Sequence, residues 1–217
     1  MQQYKLSYKG HSWWIKTDND HMAKSLANGK PYEFEMLRYI TDKYRGVFVD
    51  VGAHQGSHSI FVEKFGDFDV YAFEPITSNF KVLRENVGLN GVDITTYQYA
   101  LSDKPGFLAF DVLKDKGSLN WQVVKSTKNP KNIVQARTLD SFDFKINVLK
   151  IDVEGHEVEV LRGAENTIKK HKPVIFVEED FKRLDVKPID DYLKSLGYEK
   201  GKRFNATPTF EWKYKVK

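Results

Sequence analysis

Ten consecutive residues, Val47-Phe-Val-Asp-Val-Gly-Ala-His-Gln-Gly56, limit what this chain can fold into more than any other stretch. The β-branched and aromatic start reads as a strand buried on both faces, the pattern of a parallel sheet. Gly52 and Gly56 then bracket a sharp turn, where a residue without a Cβ tolerates unusual backbone angles and lets a ligand approach the main chain. Ser57–Phe65 comes next as a helix with Ile60, Phe61 and Phe65 apolar. A strand, a glycine turn and a helix N-terminus place a nucleotide-type pocket at the carboxyl edge of a sheet. An ordinary βα turn would carry the same glycines, so the neighbouring residues have to decide.

They supply an acid. The next strand, Asp69-Val-Tyr-Ala-Phe73, ends in Glu74-Pro75, and Glu74 lies 22 positions beyond Gly52. An acid at about 20 residues sits at the tip of the second strand of a βαβ unit, where its two oxygens can accept both ribose hydroxyl protons. Two ribose-bearing cofactors then compete. A dinucleotide such as NAD favours G-x-G-x-x-G, whose middle glycine clears space for a pyrophosphate. Here that position is His54, and Asp50 beside a pyrophosphate would repel it. Asp50 suits a ligand with a cationic amino-acid end, which favours S-adenosyl-L-methionine.

Four stretches, Asp50-Val-Gly-Ala-His-Gln-Gly56, Phe73-Glu-Pro75, Ala100-Leu-Ser-Asp103 and Leu149-Lys-Ile-Asp-Val-Glu-Gly-His-Glu157, resemble the successive motifs of the FkbM family of S-adenosylmethionine-dependent methyltransferases. The resemblance runs from about Glu33 to Glu179, and Lys-Ile-Asp-Val-Glu-Gly is its most specific part. It implies an α/β class I methyltransferase fold: a Rossmann-like, mostly parallel seven-stranded sheet with helices on both faces and an antiparallel C-terminal strand pair. It also implies methylation of an oxygen, often on a sugar (such as a deoxyhexose) or a natural product. S-Adenosyl-L-homocysteine would be the product. Carried over residue by residue, Gly52, Ala53, His54 and Gly56 form the cofactor turn, Glu74 and Pro75 face the ribose, and Ala100, Leu101 and Ser102 lie against the adenine. Asp152 also borders the cofactor, and Glu33 either contacts it or serves, with Glu35, the dipole of the helix it opens.

A length of 217 residues fits one domain with a substantial core. We expect an N-terminal hairpin/helix extension over 1–30 packed on a methyltransferase domain over 31–217. No cysteine is present, so disulfides and thiolate metal sites are excluded. No apolar run is long enough for a membrane span, and none near Met1 resembles a secretory leader, so a cytoplasmic protein is the default. The chain could be one domain of a longer enzyme. The net charge of +4 is gathered partly in the lysines near the C-terminus. A solvated lysine-rich surface explains that better than an anionic partner.

Along the chain, Tyr4–Tyr8 and Ser12–Lys16 read as a hairpin. Trp13 or Trp14 would stack on carbohydrate if exposed, though packing on the core is commoner. Pro31–Tyr44 reads as a helix. Thr77 or Ser78 caps a helix running to Leu89 and ended by Asn90-Gly91. Ile94–Tyr99 is a strand, Gly106–Val112 an extra one, and Ile133–Ala136 another. Lys114–Asn132, polar and containing Trp121, reads as an acceptor loop or a linker. Thr138-Leu-Asp140 caps the segment after it. Asn147–Asp152 partners the first strand, and Pro173–Val177 is the fifth. Pro188–Leu196 is a helix. Tyr198–Phe204 and Thr207–Val216 close the sheet.

Methyl transfer to a hydroxyl needs donor and acceptor held close and collinear, and a base for the departing proton. Asp152 and Glu154 alternate along an extended segment and can share a side. His156 titrates near neutral pH. The base is therefore sought among Asp152, Glu154, His156 and Glu178. His156 could instead face solvent at a helix start, and Glu154 could be a cap. The acids Asp152, Glu154 and Glu178 could alternatively hold Mg²⁺, which prefers oxygen ligands. Ser59, or the free amides around it, could bind the cofactor carboxylate. His58 reads as an exposed helical residue.

The leading expectation is an O-methyltransferase acting on a sugar or glycan hydroxyl. Alternatives are an NAD-dependent oxidoreductase, a methyltransferase for a non-sugar small molecule, and a binding protein on an inactive fold. Nucleic acid is disfavoured as acceptor, because no Asn/Asp-Pro-Pro-Tyr stretch for base amines is present.

Overall fold

The computed structural model describes residues 1–115, 118–124, 132–182 and 185–215. Its strands and helices, in chain order, begin with a hairpin of β1 (Gln2–Tyr8) and β2 (His11–Thr17), then α1 (Asp20–Ala27) and α2 (Phe34–Lys43). The core units are next: β3 (Gly46–Val51), α3 (Ser57–Phe65), β4 (Phe68–Phe73), α4 (Thr77–Asn90) and β5 (Ile94–Tyr97). After them come β6 (Ala100–Leu101), β7 (Gly106–Asp115), β8 (Ser118–Val124) and β9 (Asn132–Arg137). The second half holds β10 (Val148–Ile151), α5 (Glu157–Arg162), α6 (Glu165–His171), β11 (Val174–Glu178), α7 (Lys187–Ser195), β12 (Tyr198–Phe204) and β13 (Thr209–Tyr214).

The main sheet has seven strands in the order β12-β13-β11-β10-β3-β4-β5. β5, β4, β3, β10 and β11 run parallel, and β13 is antiparallel to both β11 and β12. Parallel strands put their carboxyl ends along one edge. The tips of β3, β4, β10 and β11 therefore meet there, with the chain order reversing between β3 and β10.

Alternation along the strands sends side chains to two cores. Phe48 and Val148 join Met36, Leu37, Ile60 and Phe61 on the α2–α3 face. Val49, Val51, Leu149 and Ile151 join Val160, Leu161, Ile168 and Leu193 on the α5–α7 face. Both faces are covered, as a parallel sheet requires.

The β1–β2 hairpin packs on the first of these cores. Trp13 is 1% exposed and meets Phe61 and Phe65 edge-on, so it is closed to any carbohydrate. The backbone of β2 is satisfied by two asparagines on α4. The Asn90 side chain accepts from Trp14 N–H (2.8 Å) and donates to its carbonyl (2.7 Å), and Asn86 does the same for Lys16 at 2.8 and 2.9 Å. An edge strand is thus covered by side chains instead of by another strand.

Several expectations need correction. The helix expected from Pro31 begins at Phe34, because Glu33 takes a left-handed conformation at its N-cap (φ 56°). Neither Thr77 nor Ser78 caps α4. Ile76 holds that position, and the Glu74 carboxylate accepts its N–H at 2.8 Å. Lys114–Asn132 is not loop throughout, since Ser118–Val124 pairs antiparallel with β7 and places Trp121 opposite Val112. Residues 116–117 and 125–131, the rest of that expected acceptor loop, lie outside the described residues. β6, β9, β7 and β8 form a second sheet of four strands over Ile76, Phe110 and Ala136. Thr138-Leu-Asp140 does not cap the segment after it with a side chain: the Asp140 carboxylate instead accepts the N–H groups of Asn166 and Thr167 in α6.

Candidate active site

The strand tips open into a cavity of about 770 Å³. Gly52, Ala53 and His54 from the turn after β3 line it, with Glu74 and Pro75 after β4, and Ala100 and Leu101 of β6. Asp152, Glu154 and His156 after β10, and Glu178 at the end of β11, complete the core wall. The opposite wall comes from Tyr4, α1 and Tyr32.

Glycine is required at position 52. Its φ is +83°, and a Cβ there would lie 1.8 Å from the Asp152 carbonyl oxygen. The two turns are pressed together, which brings the cofactor turn against the acidic loop. That loop bends sharply because Glu154 (φ 56°) and Gly155 (φ 102°) are both left-handed.

Glu74 is 5% exposed. One oxygen accepts the His54 N–H at 2.9 Å, and the other accepts that of Ile76. Burial pushes its pKa up to about 8, against the pull of those two N–H groups and of a hydrogen bond from the Asn79 side chain.

The acidic side is a cluster. Asp152, Glu154 and Glu178 each offer one oxygen within 4.8 Å of the others, a spacing that could hold a divalent cation. Burial, then Asp152 and Glu154 beside it, push Glu178 up to about 10. His156 stands outside the cluster. Its Nε2 lies 2.9 Å from Ser102 Oγ and its Nδ1 3.6 Å from a Glu159 oxygen, while burial lowers its pKa. The His156–Ser102 contact ties the acidic loop to the turn after β6.

Five expected site residues do not line the cavity: Glu33, Asp50, Gly56, Ser59 and Ser102. Asp50 is fully buried. Its oxygens are engaged by Lys150 Nζ at 2.9 Å and Ser59 Oγ at 2.6 Å. Ser59 donates to that carboxylate and is itself buried. Gly56 ends the turn at φ +85°, where a Cβ would lie 2.4 Å from Leu83. Glu33 is buried beside His58, with 3.5 Å between Oε2 and Nε2, and burial pushes it up to about 8. His58, expected at the surface, is 7% exposed under Tyr32, and burial lowers its pKa to about 4.

Three cavity residues were not singled out from the sequence. Ser57 has a buried hydroxyl with no hydrogen-bond partner among the described residues, at the start of α3. Lys150 is 2% exposed and reaches the cavity from mid-strand. Tyr32 borders the acidic cluster, and burial followed by the nearby Glu33 raises its phenol pKa. A lysine inside an otherwise apolar strand was the one signal in the sequence that marked any of them.

This sheet order, with a ribose-type acid after the second strand and acids at the strand tips beside the reversal, defines the class I methyltransferase fold. The methyltransferase FkbM domain matches residues 50–200, and the chain belongs to that family. It is 31% identical over 131 residues to the hexuronic acid methyltransferase AglP of Haloferax volcanii, covering 59% of this chain and 54% of that protein. Among solved structures, methyltransferase FkbM from Methylobacillus flagellatus superposes with a TM-score of 0.60 at 22% identity, over 84% of this chain and 48% of that one. A ribosomal protein L11 methylase from Lactobacillus delbrueckii gives 0.55 at 14%, over 93% and 82%. The tRNA (uracil-54, C5)-methyltransferase of Pyrococcus abyssi, solved with S-adenosyl-L-homocysteine, gives 0.52 at 15%, over 98% and 43%. The chain spans about half the length of AglP and of the Methylobacillus flagellatus protein. No helix among the described residues is long and apolar enough to cross a membrane.

Proposed function

We propose that this chain is an S-adenosylmethionine-dependent O-methyltransferase acting on a sugar hydroxyl, with a hexuronic acid as the first acceptor class to test. The observation that carries this reading is the meeting, in one cavity, of the buried Glu74 after β4 and the cluster Asp152–Glu154–Glu178. The acceptor class is that of the AglP relative, with deoxyhexoses and other glycans next in order.

The residues fit the cofactor. Glu74 would hold the ribose, and Ala100 and Leu101 the adenine. The unpartnered Ser57 hydroxyl, with the first amides of α3, would take the carboxylate. The cofactor supplies an electrophilic methyl on sulfur. Protein groups do the rest. The acceptor oxygen forms the new bond to the methyl carbon as the carbon–sulfur bond breaks, and the hydroxyl proton passes to a carboxylate. Burial and the neighbouring acids raise the pKa of Glu178, and His156 is engaged with Ser102, so the half-buried Asp152 and Glu154 are the two candidate bases. Family membership sets the nicotinamide reading aside.

Calorimetric titration with S-adenosyl-L-homocysteine, with NAD as control, tests the cofactor. Binding of the first alone is expected, and binding of NAD alone would overturn the reading. Methyl transfer to uronides, hexosides and deoxyhexosides, with and without exhaustive chelation, then tests acceptor and metal. Activity that survives chelation is the expected result for a carboxylate base. Loss restored by Mg²⁺ would reassign the cluster to a cation.

A further inference from the structure

Lys150 is costly where it stands. All four residues of β10 are buried, and the strand is central in the sheet. Lys150 pairs in register with Asp50 of β3 and shares the face of the buried Phe48 and Val148. Burying two charges costs several kcal/mol per ion, and a well-packed neutral pair is often as stable or more so. Stability alone therefore does not account for an ion pair here.

Its geometry does. Asp50 is fixed first, by Ser59 Oγ on one oxygen and Lys150 Nζ on the other. The amine is thereby held in place and lies 3.7 Å from Oδ2 of Asp152. Asp152 is two residues further along and so on the same side of the chain. It is the partly exposed member of the trio, with a side chain 29% exposed at the cavity, against 3% for Lys150 and 0% for Asp50. Burial opposes the lysine charge, and the two aspartates overcome it and raise its pKa. Lys150 is thus a cation anchored from behind, in ion-pair range of Oδ2 of Asp152.

We propose that Lys150 is a positioning residue for Asp152, holding Oδ2 so that Oδ1 is presented to the acceptor hydroxyl, with Asp50 and Ser59 as its anchor. This rests on the reading of Asp152 as a base given under Proposed function. The other task a buried lysine could perform here is to bind the cofactor carboxylate, and the test separates the two.

Three proteins are compared: wild type, Lys150→Met, and the double variant Asp50→Asn with Lys150→Met. Each is titrated with S-adenosyl-L-homocysteine and with 5′-methylthioadenosine, which lacks the amino-acid end. Each is crystallised with S-adenosyl-L-homocysteine and assayed on p-nitrophenyl β-D-glucuronide. In Lys150→Met the Asp152 carboxylate should turn away from its wild-type position. S-Adenosyl-L-homocysteine affinity should change by less than about threefold, a small part of a binding free energy. kcat should fall by about 100-fold, the size expected for a misplaced catalytic group, with KM for the cofactor little changed. The double variant should regain thermal stability and not turnover.

An Asp152 carboxylate unmoved in the Lys150→Met crystal overturns the proposal, whether or not the glucuronide is turned over. So does recovery of turnover in the double variant, which would make the pair structural. Loss of S-adenosyl-L-homocysteine affinity with unchanged methylthioadenosine affinity assigns Lys150 to the cofactor carboxylate and overturns it too. A wild-type protein that binds neither nucleoside ends the methyltransferase reading, and the proposal with it.

Discussion

At Glu74 one carboxylate closes the turn after β3, caps α4 and faces the cavity. Glu74→Gln keeps the shape and removes one acceptor oxygen and the charge. S-Adenosyl-L-homocysteine binding should weaken by about 1.5–3 kcal/mol, the range for a hydrogen bond to a charged group. Calorimetry checks this, and unchanged affinity would take Glu74 out of the ribose role. Asp152→Asn should leave that affinity intact and lower turnover by about 100- to 10,000-fold if Asp152 is the base. Near-normal turnover would pass the role to Glu154. The positions of these two acids were legible in the sequence, because a strand tip is found by counting residues from a glycine turn. Lys150 was not, since its partners Asp50 and Asp152 are identified only by register between strands. Nor was it legible that Ser57 lines the cavity and Ser59 does not. Gly56 sets the phase of α3, and that phase turns Ser59 toward Asp50 and leaves Ser57 at the cavity.

Between elements, Asn86 joins three segments. Its amide exchanges two hydrogen bonds with the backbone of Lys16 and donates a third to the Gln55 carbonyl at 2.8 Å. The side chain is fully buried, so Asn86→Ala strands an N–H and two carbonyls. A loss of about 1–3 kcal/mol in folding stability is expected from equilibrium denaturation, the cost of leaving buried partners unsatisfied. Because α1 comes directly after the hairpin and walls the cavity, acceptor KM should rise more than cofactor KM. Equal effects on both would show that the hairpin does not tune the acceptor wall. The hairpin and the seven main strands were readable from hydrophobic runs and turn residues. The small sheet was less so. β6 has only two residues, and β8 runs through a polar stretch whose pairing with β7 no local pattern announces.

Across the molecule, the buried acids and imidazoles set opposite pH limits. Glu33 and Glu74 have an ordinary value of 4.5 and are pushed up to about 8 by burial. Between those values the folded chain keeps protons that the unfolded chain has released, so stability falls as pH rises. His54 and His58 have an ordinary value of 6.5 and are lowered to about 4, again by burial. Between those values the unfolded chain takes up protons that the folded chain refuses, so stability falls as pH drops. The two effects oppose one another from pH 4.5 to 6.5, and only the carboxyls act from 6.5 to 8. The folding free energy of the ligand-free protein should therefore decline across pH 6.5–8, by at most about 1.4 kcal/mol per pH unit for each acid, and the melting temperature should fall with it. Glu74→Gln should flatten that decline by removing one of them. Ribose hydroxyls that donate to Glu74 favour its ionised form. S-Adenosyl-L-homocysteine should accordingly bind more tightly toward pH 8 and release a proton, seen by calorimetry in buffers of different ionisation enthalpy. A melting temperature that is flat or rises over this window would mean that Glu33 and Glu74 are ionised in the free protein. The ribose site would then be charged before the cofactor arrives.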